Sequence, residues 1–287
     1  MRKRQRRRRK GSSTRFIRVS LSLGLLFSIF LYSLLIEPNW IEINYLQLTL
    51  PHLAPQFEQY RIVQISDIHT DRWMNQARLS RIFRLINEQQ PDLVAITGDF
   101  ATRNQQRFLP NLAATIGQLT PKDKTVAVLG NHDYWVDPEA VKQILEQTDI
   151  VNLDNTVYTL KRGTATLYVA GVDDIFVGKD RLDLVLKQLP SNGSAILLAH
   201  EPDFAESSAA TGRFDLQLSG HSHAGQIRLP FLKPFLLPSL GEKYYAGLYQ
   251  VGKMILYTNR GIGTNILPLR FNVRPEITVF TLVTPTG

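Results

Sequence analysis

The sequence predicts an α/β domain carried behind one N-terminal transmembrane helix. Three observations predict it. Short apolar runs alternate with amphipathic segments of helical period, the rhythm of β-α-β units. Clusters of Asp, His, Asn and Gly follow those runs rather than interrupting them. One stretch near the N-terminus, residues 19–36, carries no charge over 18 residues. With 287 residues, 44% hydrophobic and 20% charged, the chain can bury a sizeable core.

The first element is the uncharged stretch VSLSLGLLFSIFLYSLLI, bounded by Arg18 and Glu37. As a helix it spans about 27 Å, close to the roughly 30 Å hydrocarbon core, and Arg18 can snorkel while Trp40 sits at the interface. A buried core helix fits poorly because a polybasic segment precedes the run directly. A cleaved signal peptide needs small residues at −3 and −1, and EPNWIEINY offers none. The RR pairs in residues 6–9 lack the surroundings of a twin-arginine signal. An uncleaved signal anchor fits best. The positive-inside rule then leaves residues 1–18 as a basic cytoplasmic tail and 19–37 as the anchor, followed by a linker with a first strand (38–58) and a domain (59–287) on the opposite face. Anionic lipid headgroups attract such a tail by about 1 kcal/mol per basic residue.

Charge supports this division. Ten of the 33 Lys and Arg residues lie in residues 1–18; the other 23 face 25 Asp and Glu. The net +8 therefore belongs to the tail, the domain is near neutral, and no nucleic-acid partner is expected. There is no cysteine, which excludes disulfides, thiolate metal sites and cysteine nucleophiles, so any metal must use N and O ligands.

Along the domain, IEINYLQLTL (41–50) alternates like a half-buried strand, and Pro51 and Pro55 end it. YRIVQIS (60–66) reads as a central strand. A helix follows with Leu79, Ile82, Phe83 and Ile86 on one face, stopped by Pro91. Strands are expected at 92–97, 125–129, 167–172, 195–199 and 214–219, with helices near 108–118, 138–147 and 180–189. After residue 225, YYAGLYQVG, KMILYTN and EITVFTL alternate and predict an antiparallel sheet edge.

The polar clusters carry the chemistry. SDIH (66–69), GD (98–99), GNHD (130–133), His200 and GHSH (220–223) each follow a strand, and the C-terminal strand ends of an α/β sheet share an edge where ligands bind. Five of the six histidines fall there; His52, outside the pattern, reads as an ordinary surface or core histidine. Imidazole, carboxylate and amide oxygen suit Mn, Fe, Zn or Mg, and a carboxylate can bridge two ions; Asp99 is the candidate bridge. Two divalent ions would activate a water and hold phosphate oxygens. Gly98, Gly130 and Gly220 precede these residues, where the backbone must turn sharply and pass close to an ion or substrate.

The ordered set D-x-H, GD, GNH[D/E], a later His and GHxH, over residues 60–223, resembles the calcineurin-like metallophosphoesterase superfamily. The resemblance implies a four-layer α/β/β/α sandwich with two packed sheets and a pair of divalent metal ions. It implies one metal on Asp67, His69 and His223, another on Asn131, His200 and His221, and Asp99 on both. His132 would lie near the scissile phosphate, stabilising the transition state or protonating the leaving group. Asp133 would orient His132 or cap a turn. HEPDF (200–204), GHSHAGQ (220–226) and residues 259–277, behind a basic anchor, resemble a membrane-associated bacterial phosphodiesterase branch similar to UDP-2,3-diacylglucosamine pyrophosphatases of lipid A biosynthesis. A phosphoester substrate at the bacterial inner membrane follows, with the domain extracytoplasmic, although that sugar nucleotide is made on the cytoplasmic side. Ala224 stands where Gly is commoner in that branch. Arg260 and Arg270 are candidate phosphate contacts, with Arg260, Asn131 and His132 as the substrate-binding set and His132 and Asp99 as the catalytic one.

Two other readings compete. GHSHA nearly fits the G-x-S-x-G elbow of a serine hydrolase, but the fifth residue is Ala and four clustered histidines would have no purpose. A catalytically inactive, membrane-bound metal- or phosphate-binding scaffold is the non-enzyme alternative.

Overall fold

Two six-stranded sheets packed face to face, each covered outside by helices, make up the computed structural model, which describes residues 2–265 and 267–285. Side chains are described from residue 15, so those of most of the basic tail lie outside the described residues. In chain order the elements are α1 (Arg2–Leu31), β1 (Glu42–Thr49), β2 (Arg61–Ile65), α2 (Gln76–Glu88), β3 (Leu93–Thr97), α3 (Leu109–Ala113), β4 (Lys124–Val128), α4 (Asn131–Val136), α5 (Pro138–Gln147) and β5 (Val151–Asn152). The second half contributes β6 (Thr156–Arg162), β7 (Ala165–Gly171), α6 (Leu182–Gln188), β8 (Ser194–Leu198), α7 (Ala205–Ala210), β9 (Leu216–Ser219), β10 (Gly247–Val251), β11 (Met254–Thr258) and β12 (Glu276–Val283).

One sheet runs β1-β12-β2-β3-β4-β5 and the other β10-β11-β9-β8-β7-β6. Strands β2, β3 and β4 are parallel, as are β7, β8 and β9, so the polar clusters leave both sheets at corresponding ends. Side-chain alternation explains the uninterrupted apolar runs. Leu93 and Ala95 of β3 face the other sheet, whereas Val94 and Ile96 face the outer helices. Both faces are buried, so the strands need apolar residues at every position. The predicted face of α2 is fully buried at Leu79, Ile82, Phe83 and Ile86, and the Asn75 side chain caps it by accepting from Arg78 N–H. Asp137 caps α5 by accepting from Ala140 N–H, with Pro138 in its first turn.

Several local expectations change. The helix read at 108–118 is one short α-helix between 3₁₀ turns, since Pro110 and Gly117 limit its extension. The strand β6 was not legible: it is an edge strand paired to β7, largely half-exposed, and lacks the dense apolar run of a central strand. The late strands divide between sheets. β10 and β11 form the antiparallel edge, but β12 inserts between β1 and β2 of the other sheet.

The apolar N-terminal helix is long enough to cross a membrane. Its exposed apolar side chains include Leu21, Leu25, Phe27 and Phe30. After Leu31 it continues as a π turn (Tyr32–Ile36) and a 3₁₀ turn (Glu37–Asn39) that dock on the domain. Arg270 N–H donates to the Ser33 carbonyl at 3.0 Å, Val273 N–H donates to the buried Glu37 carboxylate at 2.5 Å, and the Arg78 guanidinium bonds to the Pro38 carbonyl and Asn39. The domain thus grips the chain from Ser33 onward, before the boundary read at residue 37.

Candidate metal centre

Asp67 and His69 leave the end of β2, Asp99 follows β3, and Asn131 opens α4 after β4. His200 follows β8, while His221 and His223 follow β9. Three segments therefore come from one sheet and three residues from the other, and the two sets meet where the layers join. Backbone bonds fasten the loops together: Asp67 N–H donates to the Gly98 carbonyl, His69 N–H to the Asp99 carbonyl, and Gly220 N–H to the His200 carbonyl. Five of these residues, Asp67, His69, Asp99, His221 and His223, have φ between 48° and 68°. Such left-handed non-glycine backbone costs about 1–2 kcal/mol per residue and survives where surrounding contacts impose it, as at functional sites.

The side chains converge in three overlapping groups: Asp67 with His69 and His223; His69 with Asp99 and His132; and Asp99 with His200 and His221, the donor atoms of each lying within 4.8 Å of one another. Asp99 Oδ2 is 3.5 Å from His69 Nε2 and 3.3 Å from His200 Nε2, so one oxygen faces both sides. Its Oδ1 accepts from His132 N–H at 2.9 Å, which fixes the carboxylate. Asp67 holds His221 N–H with Oδ2, and its Oδ1 lies 3.2 Å from His223 Nε2.

Backbone carbonyls set three ring orientations. His69 Nδ1–H donates to the Ala101 carbonyl at 3.1 Å and His200 Nδ1–H to the Thr97 carbonyl at 2.7 Å, turning both Nε2 atoms into the cluster. His221 donates from Nε2 to the Ser239 carbonyl at 3.0 Å and presents Nδ1. This is the arrangement in which the second nitrogen of an imidazole fixes the ligating one. The buried atoms Asp67 Oδ1 and Asn131 Oδ1 have no hydrogen-bond partner. Buried acceptors without donors are costly. Together with the N and O donor set, they fit divalent cations.

Electrostatics follow from burial and proximity. Burial, reinforced by the charges of His132 and His223, lowers His69 to about 3, and burial with His200 lowers His221 to about 4. Burial opposes ionisation of Asp99 and Asp67, but the neighbouring histidines overcome it and hold both below the usual carboxylate range. Burial likewise opposes protonation of His200, yet Asp99 and Asp67 push it well above an ordinary imidazole. Asp133 is buried and raised, first by desolvation and then by Asp99. Its two oxygens accept from Ala101 and Gly130 N–H, so it caps α4 and braces the loop that orients His69.

His132 borders the cluster. Arg103 N–H donates to its Nδ1 at 3.3 Å, and the Asn265 amide nitrogen Nδ2 lies 3.3 Å from its Nε2, so both ring nitrogens face donors. Asn265 went unnoticed in the sequence, as did an aromatic rim: Trp135 packs 4.7 Å from His132, Phe176 lies 5.6 Å from Trp135 and 6.2 Å from His221, and Arg103 stacks 5.1 Å over Trp135. Trp135, three residues beyond His132 on α4, was the one available signal.

The two candidate arginines have partners within the fold. Arg260 Nε donates to Glu276 at 2.6 Å and its terminal nitrogen to Glu42 at 3.1 Å. Arg270 is fully buried and donates to the carbonyls of Arg260, Gly261, Gly263 and Val273. Both guanidiniums are occupied within the fold, where buried carboxylates and carbonyls compete with any phosphate. Ala224, in the branch-like motif, takes φ 50°, a conformation glycine adopts without strain. His52 pairs with Asp215 at 2.6 Å, away from the cluster.

Residues 60–225 match the family described as calcineurin-like phosphoesterase. The chain belongs to this family. As a calcineurin-like phosphoesterase it is a metallophosphoesterase hydrolase of α/β fold, and the family uses divalent metals. It is 35% identical over 261 residues to an uncharacterized metallophosphoesterase, YkuE, of Bacillus subtilis strain 168, covering 88% of each chain. It is 28% identical over 275 residues to the phosphodiesterase YaeI of Escherichia coli K12, covering 95% of this chain and 99% of that one. A zebrafish transmembrane protein with a metallophosphoesterase domain is 32% identical, over 81% of this chain and 55% of that one. That likeness and the apolar helix support a single-pass membrane protein.

Proposed function

We propose that this calcineurin-like phosphoesterase hydrolyses phosphodiester or pyrophosphate bonds at a pair of divalent ions held by Asp67, His69 and His223 on one side, Asn131, His200 and His221 on the other, and Asp99 between them. The observation that carries the reading is Asp99 Oδ2, which faces a histidine nitrogen of each group within 3.5 Å. Bound ions would supply charge neutralisation at the phosphate and acidify a water.

The protein residues have separate tasks in this reading. Carbonyls of Thr97, Ala101 and Ser239 hold the imidazoles so that the ligating lone pairs are fixed before substrate arrives. His132, when protonated, donates to the departing oxygen or to the phosphate, with Asn265 beside its ring. Trp135, Phe176 and Arg103 offer an apolar and cationic wall for the ester's organic group. The Arg260 guanidinium is engaged by Glu276 and Glu42, which compete with a substrate phosphate for it.

An amphiphilic phosphodiester or pyrophosphate suits a membrane-anchored site, and UDP-2,3-diacylglucosamine is one such pyrophosphate. The E. coli relative's name, phosphodiesterase, favours diesters over monoesters. The basic tail supports a cytoplasmic N-terminus and an extracytoplasmic domain, which a C-terminal reporter active on one side only would test. Hydrolysis is tested with metal-loaded protein on bis-p-nitrophenyl phosphate and on a panel of nucleotide, sugar-nucleotide and lipid phosphoesters. Metal-dependent turnover of a diester is expected. Inertness on every mono- and diester, with Asn131→Ala changing only thermal stability, favours the scaffold reading instead.

A further inference from the structure

Immediately after the last histidine of the cluster, residues 227–240 (IRLPFLKPFLLPSL) form an exposed apolar loop with no α-helix or strand of its own. Phe231 is fully exposed at 106%, Leu236 at 78% and Phe235 at 68%. A contiguous apolar surface of this kind on a folded domain marks an interaction site. Pro230, Pro234 and Pro238 recur every four residues and keep the segment from forming a helix or joining a sheet, and buried Pro234 seats it against Gly225. Arg228 and Lys233 are its charged residues; it holds no Asp or Glu.

The loop is fastened at both ends to features already described. At its start, Arg228 N–H donates to the Phe271 carbonyl and Phe271 N–H to the Gln226 carbonyl, both at 2.9 Å. The next residue, Arg270, donates its N–H to Ser33 at the end of the apolar helix. Exposed Leu267 lies in the same neighbouring segment, which Gln226 grips through the carbonyls of Asn265 and Leu269. At the loop's end, the Ser239 carbonyl orients His221. One strip of backbone thus connects the membrane-spanning helix, the apolar loop and the cluster.

We propose that residues 227–240 are a second membrane contact: their apolar side chains enter the headgroup and acyl boundary beside α1, and the mouth of the metal centre opens onto the bilayer plane. Apolar side chains flanked by Arg and Lys are the composition that binds an anionic lipid interface. A loop cannot go deeper than that boundary, because its backbone polar groups would lose water without a partner. The occupant is lipid rather than a protein because the end of α1 that must leave the bilayer sits one residue from the strand-like pair that starts the loop. The substrate class then narrows to phosphodiesters whose phosphate lies at headgroup level and whose tail stays in the bilayer, entering from the side. This narrowing rests on the hydrolase reading above; the insertion of the loop does not.

The absence of cysteine makes a direct test practicable. Full-length Phe231→Cys, Phe235→Cys and, as a control, Ser191→Cys are labelled with a nitroxide in nanodiscs of phosphatidylglycerol and phosphatidylcholine, and collision with oxygen is compared with collision with a nickel chelate. Labels at 231 and 235 should favour oxygen several-fold relative to 191. Labels as open to the chelate as 191, or shielded from both reagents as in a protein interface, would overturn the membrane contact. The triple variant Phe231→Ser, Phe235→Ser, Leu236→Ser should lose about tenfold or more in kcat/KM on a dialkyl phosphodiester in the same bilayer and keep its rate on bis-p-nitrophenyl phosphate. Equal rates on the bilayer ester overturn the lateral-entry half. Wild-type protein inert on both esters fails the hydrolase reading alone, and the nitroxide result still decides insertion.

Discussion

An imidazole that binds a cation must present a lone pair, and three histidines here have theirs set by a backbone carbonyl. The states differ, however. His69 and His221 are depressed to about 3 and about 4, so they are neutral at pH 7. His200 is raised and holds a proton there. A cation on Nε2 must displace that proton, so uptake should release protons and tighten as pH rises from 6 to 8, by up to about tenfold per unit per proton. Calorimetry in buffers of different ionisation enthalpy measures this, and buffer-independent heats would refute it. His132 makes a separate prediction. If its Nε2 proton goes to the leaving oxygen, His132→Gln should lower kcat by about 10²-fold on an alkyl diester and much less on a p-nitrophenyl ester, whose leaving group needs no proton. Equal losses would assign it to stabilising the phosphate instead. Arg260 is the residue where motif and fold disagree. Removing it strands Glu276, which is 1% exposed and also bonds Tyr257, Asn44 and Thr278. Arg260→Gln should cost about 3 kcal/mol in urea unfolding while kcat/KM on a soluble diester stays near wild type; the opposite pattern would restore it as a substrate contact.

At the scale of elements, glycine decides how closely the turns can approach. A Cβ at Gly130 would overlap Asp99 Oδ1 and lie 2.8 Å from His200 Nε2. Gly130→Ala should therefore abolish tight metal binding, measured by elemental analysis after dialysis, with the fold retained by circular dichroism. Metal retention at the wild-type level would mean that the turn is looser than its contacts imply. These turns also explain what was legible. Each polar cluster follows an apolar strand and most are introduced by glycine, so the strand ends and Asp67, His69, Asp99, Asn131, His200, His221 and His223 could be read in order. The carbonyls of Ala101, Thr97 and Ser239 could not, because a carbonyl has no residue identity. The partners of Arg260 and Arg270 were not legible for a related reason: they arrive from β1, β12 and the 261–273 loop, and a guanidinium suits a carboxylate as well as a phosphate. The edge strand β6 escaped because half-exposed pairing leaves little apolar signal.

On the scale of the whole molecule, the anchor and the domain are one folded unit. Ser33, Glu37 and Pro38 are held by Arg270, Val273 and Arg78, so the folded unit reaches back to about Tyr32, into the stretch read as anchor. A chain beginning at Tyr32 should be more stable than one beginning at Pro38 by about 1–3 kcal/mol, since the latter leaves buried N–H groups unpaired; equal denaturation midpoints would contradict this. Two sheets deliver their strand ends to one place, and the central claim is that this place holds two ions bridged by Asp99. Counting metal in the reconstituted full-length protein tests it most directly. About two divalent ions per chain are predicted, falling together with diesterase activity in Asp99→Ala. Full activity at one ion per chain, or two ions retained without Asp99, would contradict it.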